Sequence, residues 1–126
     1  MIVIDTSALV DALTGSRRSG PALRRLLERG ERLNAPTLVL YEWFRGPRLA
    51  EELVAQEALL PRTQAITFGV EQAELAANIY AEVEQPRGRE IDIAIAACAL
   101  SCQARIWTLN TRDFADIPGV SLADPE

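Results

Sequence analysis

The stretch Ile2-Val3-Ile4-Asp5-Thr6-Ser7 decides the fold. Three apolar β-formers follow one another without alternation, the pattern of a strand buried on both faces, as in a parallel sheet. The run stops on a carboxylate with two small hydroxyl residues behind it. In open α/β sheets ligands gather just outside the carboxyl ends of the strands, and Asp5 falls there. Asp5 or Thr6 could equally cap the helix expected over residues 7–13. The choice turns on where the other acids lie.

Outward from this stretch, strands and helices alternate. A basic helix opens at Gly20-Pro21, carries Leu23, Leu26 and Leu27 as its apolar stripe, and ends at Gly30. Its arginines read as a solvated face or as an RNA-facing patch. A short strand over Leu33-Asn34-Ala35 leads into a helix from Pro36-Thr37 to Arg45, where Glu42 stands among Tyr41, Trp43 and Phe44. An acid in so apolar a setting is costly unless it is paired, metal-bound or turned to solvent. Residues 48–60 read as a helix with Leu49, Leu53 and Leu60 inward, and residues 64–68 as a third strand. The longest helix, residues 70–85, buries Ala73, Leu75, Ala76, Ile79, Tyr80 and Val83.

After the Pro86–Arg89 loop a helix opens with Glu90-Ile91-Asp92 and continues apolar all round, so it is buried. Asp92 in its first turn suits the helix dipole. With helices antiparallel to the strands, Asp92 is expected to need a loop that reaches up to the sheet edge. A fourth strand, residues 105–109, runs into Asn110, Arg112 and Asp113, and residues 120–122 form a short edge strand. The fold class is therefore α/β, a three-layer α/β/α arrangement around a mainly parallel sheet of four to five strands, in one domain over residues 1–126.

Composition narrows the chemistry. The chain has 126 residues, no histidine, and thirteen basic residues that are all arginine, with a net charge of −5. Ser-His and Cys-His nucleophiles, lysine Schiff bases and phosphate-loop lysines are excluded. Cys98 and Cys102 read as small hydrophobes on an apolar helix. What remains is oxygen-ligand chemistry, whose natural metals are Mg²⁺ and Mn²⁺. Two carboxylates about 4 Å apart repel by about 4 kcal/mol at an effective dielectric near 20, so converging acids demand a cation or raised pKa values. The negative net charge disfavours nucleic-acid binding in general, but a bound cation reverses the sign locally. No apolar run is long enough for a membrane span and no signal peptide is present, so the expected location is cytoplasmic.

Four short motifs, in order, carry a resemblance: Ile4-Asp5-Thr6-Ser7; Glu42 after an apolar half-helix; Asp92-Ile93-Ala94-Ile95-Ala96-Ala97; and Thr108-Leu109-Asn110-Thr111-Arg112-Asp113-Phe114. The chain resembles the PIN-domain ribonucleases, specifically the VapC-like toxins of toxin–antitoxin pairs. The resemblance implies a ribonuclease that hydrolyses RNA phosphodiesters with Mg²⁺ or Mn²⁺. Asp5, Glu42, Asp92 and Asp113 would hold the metal, Asp5 and Asp92 as direct ligands, with Thr6 and Asn110 supporting. Glu90-Ile91 departs from the family, whose members often carry a different polar residue there. The resemblance also implies a homodimer and a VapB-like antitoxin as partner, for which Tyr41, Trp43 and Phe44 are candidate contacts.

Arg87, Arg89 and Arg112 stand beside motif residues and are expected to contact phosphate. One competing reading is a catalytically inactive interaction or RNA-binding scaffold on the same fold. Another is a phosphatase with an aspartyl nucleophile, which would want Asp at position 7 and a downstream lysine; position 7 is Ser and lysine is absent.

Overall fold

A computed structural model describes residues 1–126. Strand β1 (Ile2–Ile4) lies at the centre of a parallel sheet, between β2 (Leu33–Asn34) and β3 (Arg105–Trp107). Ile2 pairs with Leu33 and Arg105, and Ile4 with Trp107. Successive strand side chains point to opposite faces, yet Ile2, Val3 and Ile4 are all fully buried. Both faces of the sheet are therefore covered, as the unalternated run requires.

The helices are α1 (Thr6–Leu13), α2 (Gly20–Glu28), α3 (Thr37–Arg45), α4 (Ala50–Leu59), α5 (Val70–Glu82), α6 (Glu90–Ser101) and α7 (Arg112–Ala115). Every residue of α6 from Ile93 to Ala99 is buried, and its small alanines let α5 pack closely along it. Within that stretch Cys98 is fully buried, and burial pushes its thiol up to about 11. It serves as a hydrophobe.

The sheet has three strands, not four or five. The segment expected as a third strand begins with a 3₁₀ turn, Arg62–Gln64, and only Ile66 reaches the ladder, beside Pro36. The expected last strand likewise contributes only Leu122, beside Ile106. Both outer positions are thus covered by single parallel bridges, which leaves no long open edge to recruit another chain.

Three helix faces also differ from expectation. Leu27 is 46% exposed, so α2 buries Ala22, Leu23 and Leu26 instead. Ala73 and Tyr80 of α5 face outward, while Ile79 and the following Val83 are buried. In α4 the polarity is inverted: Leu49 and Leu53 are exposed, whereas Glu52 and Gln56 are buried. Glu52 turns inward because its carboxylate accepts the Leu49 N–H at 2.8 Å, closing the start of the helix. Gln56, one turn on, shares that face, and Leu60 completes it.

The Gln56 side-chain carbonyl has no hydrogen-bond partner, and its amide makes only a 3.3 Å bond to the Leu60 carbonyl. A buried acceptor without a donor is destabilising by about 1–3 kcal/mol. Gln56→Met is accordingly expected to raise the melting temperature by a few degrees, read by thermal denaturation. An unchanged or lowered value would show that the Leu60 bond outweighs the unpaired carbonyl.

Arg25 of α2 and Arg29 just past its end are not free, whereas Arg24 stays exposed. Arg25 and Arg29 donate to the backbone carbonyls of Asp124 and Pro125, and Arg25 pairs with Glu126 at 3.0 Å. They fasten the C-terminal residues to this helix.

Candidate active site

Asp5 is the first residue past β1 and still holds the ladder, its N–H bonding the Trp107 carbonyl at 2.9 Å. It occupies the position before α1, yet its side chain makes no capping bond. The capping alternative is thereby removed. Instead, Asp5 Oδ2 accepts from Ser7 Oγ at 2.8 Å and from Thr108 Oγ1 at 2.7 Å. The same two hydroxyls accept the N–H groups of Leu109 and Asn110, at 3.0 and 2.9 Å. One buried carboxylate oxygen thus ties the end of β1 to the loop leaving β3. The other oxygen has no protein donor.

Glu42 is half-buried on α3, and its Oε1 accepts from Thr6 Oγ1 at 2.6 Å. Neighbouring side chains on a helix diverge by about 100°. Trp43 is therefore fully buried while Tyr41 and Phe44 stay exposed, at 58% and 43%. Arg45 lies 3.5 Å from Glu42 and over the Tyr41 ring.

No reaching loop is needed for Asp92. Only three residues join α6 to β3, so α6 ends at the edge where the strands begin. A helix antiparallel to the strands starts where they finish, and Asp92 in its first turn lies at the edge that carries Asp5. Asp113 arrives at the same edge on α7, the short helix after β3, with its N–H on the Asn110 carbonyl at 3.0 Å.

The four acids of the sequence motifs share one basin. Asp92 is pushed up to about 6, first by burial and then by the charges of Asp5, Asp113 and Glu42, with Arg89 opposing. That three other carboxylates all bear on this one places them within Coulombic reach of it. As the side chains lie, no three of them stand together closely enough to hold a metal ion. Octahedral Mg²⁺ keeps several waters and takes one or two carboxylates directly, so an open set of four acids, one with an unengaged oxygen, fits a water-completed divalent ion.

The three arginines separate. Arg87 is exposed. Arg112 is exposed beside a small polar hollow of about 230 Å³ lined by residues 109–113. Arg89 is not available to substrate: its side chain is only 16% exposed and is engaged with Asp116, the Asp113 carbonyl and the Glu84 carbonyl. Asn110 is exposed, its backbone N–H held by Thr108. Ser7 and Thr108 join the site although sequence alone did not single them out, and both lie within its motifs. Asp116 joins it too, and no local pattern marks that residue.

A family model described as "PIN domain" matches residues 2–120, and the chain belongs to the PIN-domain family. Within it the chain is similar to proteins named Ribonuclease VapC19 from two strains of Mycobacterium tuberculosis. Each is 31% identical over 120 residues, covering 94% of this chain and 95% of the relative. Among solved structures it is similar to the toxin–antitoxin complex from Klebsiella pneumoniae, with 25% identity, a TM-score of 0.69, and coverage of 100% of this chain and 98% of that one. VapBC2 from Rickettsia felis, bound to a DNA fragment from its promoter, shares the fold with a TM-score of 0.75 at 22% identity and 98% coverage of both chains. The VapC-like resemblance drawn from the four motifs is thus borne out.

Proposed function

We propose that this protein is a metal-dependent endoribonuclease, the toxin of a type II toxin–antitoxin pair. The observation that carries this reading is the convergence of Asp5, Glu42, Asp92 and Asp113 at the carboxyl edge of the sheet, in a chain without histidine or lysine. The names of its Mycobacterium relatives support the activity. The toxin–antitoxin complexes among its structural neighbours support a VapB-like antitoxin as partner. The same reading makes the substrate single-stranded or looped RNA, the location cytoplasmic and the assembly a homodimer. Tyr41 and Phe44, which line an open groove of about 600 Å³, are suited to a protein contact; Trp43 belongs to the core.

Asp5 and Asp92 would hold Mg²⁺ or Mn²⁺ directly, with Glu42 and Asp113 holding its waters. Such an ion lowers the pKa of water and offsets charge on the phosphodiester. The chain's own part is to orient. Ser7 and Thr108 fix Asp5, Thr6 fixes Glu42, and Arg87, Arg112 and Asn110 would contact the RNA backbone.

Purified protein is expected to cut a mixed RNA pool with Mg²⁺ or Mn²⁺, and not with chelator or after Asp5→Ala. If folded protein cuts nothing and calorimetry detects no Mn²⁺ binding, the inactive scaffold is the correct reading.

A further inference from the structure

Arg89 precedes α6 by one residue and Asp116 follows α7 by one. The guanidinium meets the Asp116 carboxylate with both terminal nitrogens, at 2.5 and 3.1 Å. The nitrogen making the shorter bond also donates to the Asp113 carbonyl at 2.8 Å, and the other bonds the Glu84 carbonyl at 3.3 Å. Arg89 is itself anchored: its N–H bonds the Pro86 carbonyl and its carbonyl accepts from Ile93. One largely buried planar fork therefore joins the helix start that carries Asp92 to the short helix that carries Asp113.

We infer that Arg89 and Asp116 form a positioning clamp that sets the spacing of Asp92 and Asp113 for metal binding. It rests on the reading that these acids hold a divalent ion. α7 is a single turn, and four residues make a marginal helix unless they are tied to the rest of the fold. The clamp supplies that tie on the side facing α6. A bidentate arginine–carboxylate pair fixes direction as well as distance, which a lysine at the same place would not.

Charge alone predicts the opposite sign of effect. Arg89 is a cation close to the acids and opposes the rise in the Asp92 pKa. If it acted only through its field, Arg89→Gln would remove a repulsion and tighten binding of a divalent ion. A clamp predicts that the same variant binds more weakly.

Mn²⁺ calorimetry on the intact protein decides between them. Groups that orient metal ligands typically contribute about 10–100-fold in affinity. Arg89→Gln and Asp116→Asn are each expected to weaken Mn²⁺ binding at least about tenfold, with Arg89→Lys restoring little of it. The double variant should lose no more than the worse single one, since both break one unit. Thermal melts establish that each variant is folded. Tighter or unchanged Mn²⁺ binding in folded Arg89→Gln overturns the clamp while leaving the metal reading intact, provided Asp5→Asn abolishes binding. Absence of Mn²⁺ binding in the unsubstituted protein overturns the metal reading, and the clamp with it.

Discussion

Asp92→Asn is expected to abolish RNA cleavage, by about 10³-fold or more, while making the metal-free protein more stable at neutral pH. The loss follows from the role proposed for Asp92 as a direct ligand, because charge stabilisation by a bound divalent ion is worth several kcal/mol and each ~1.4 kcal/mol is tenfold in rate. The gain follows from the carboxylate's own surroundings. In the folded chain Asp92 holds its proton up to about pH 6, because burial and the charges of Asp5, Asp113 and Glu42 disfavour its anion; unfolded, it would release that proton near about 4.

The folded state therefore binds more protons than the unfolded one between those values, and stability must fall as pH rises through that window. The difference between those two pKa values amounts to about 3 kcal/mol at full strength. Asp92 is only half-buried, and solvent screening reduces this to about 1–2 kcal/mol. For a chain of this length that is about 5 °C of melting temperature. Melts of metal-free protein from about pH 4 to pH 8 should show the unsubstituted chain falling below Asp92→Asn as pH rises. Added Mn²⁺ should then restore the first and leave the second unmoved, since only a protein that binds the ion gains from it. Parallel pH curves for the two proteins would refute the charge basin.

These four acids were legible because each sits at the end of a local pattern. A buried strand run announces Asp5, an apolar half-helix precedes Glu42, an all-round apolar helix follows Asp92, and a strand followed by polar residues leads to Asp113. Convergence of Asp92 was harder to see, although it required only that an antiparallel helix begins where the strands end. What the pattern could not carry is partnership. Arg89 reads as a phosphate contact until Asp116, 27 residues away, is found against it. Arg25 and Arg29 read as part of a basic face until the C-terminal carbonyls are found upon them.

The inward face of α4 departs from its sequence pattern for a related reason. Hydrophobic periodicity assumes that leucines choose the buried side, but Glu52 closes its own helix start and takes Gln56 inward with it. The outer strands shrank to single bridges because one is preceded by a 3₁₀ turn and both offer one paired residue. β propensity alone does not count ladder bonds.

Thr108→Val is expected to lower kcat/KM for RNA by about 10–100-fold while leaving the fold intact, the range typical of residues that orient a metal ligand. Valine keeps the shape of threonine but not its hydroxyl. The substitution removes one of the two donors to Asp5 Oδ2 and the acceptor for the Asn110 N–H. Asp5 then keeps only Ser7, at 2.8 Å, which still aims the carboxylate but holds it less tightly. The backbone N–H left without its partner costs about 1–3 kcal/mol, so some stability is lost as well.

The separation of the two effects lies in the metal. If Thr108 orients Asp5, the concentration of Mn²⁺ or Mg²⁺ needed for half-maximal cleavage rises, and saturating metal recovers much of the rate. A purely structural role would lower the melting temperature without shifting that concentration. Ser7→Ala should act in the same direction, because Ser7 Oγ bonds both Asp5 and the Leu109 N–H. The two substitutions together should cost more than their sum: either hydroxyl alone still aims the carboxylate, and with both gone nothing holds Oδ2. Strict additivity would mean that the two donors act independently and that Asp5 is held by its backbone, not by this pair of hydroxyls.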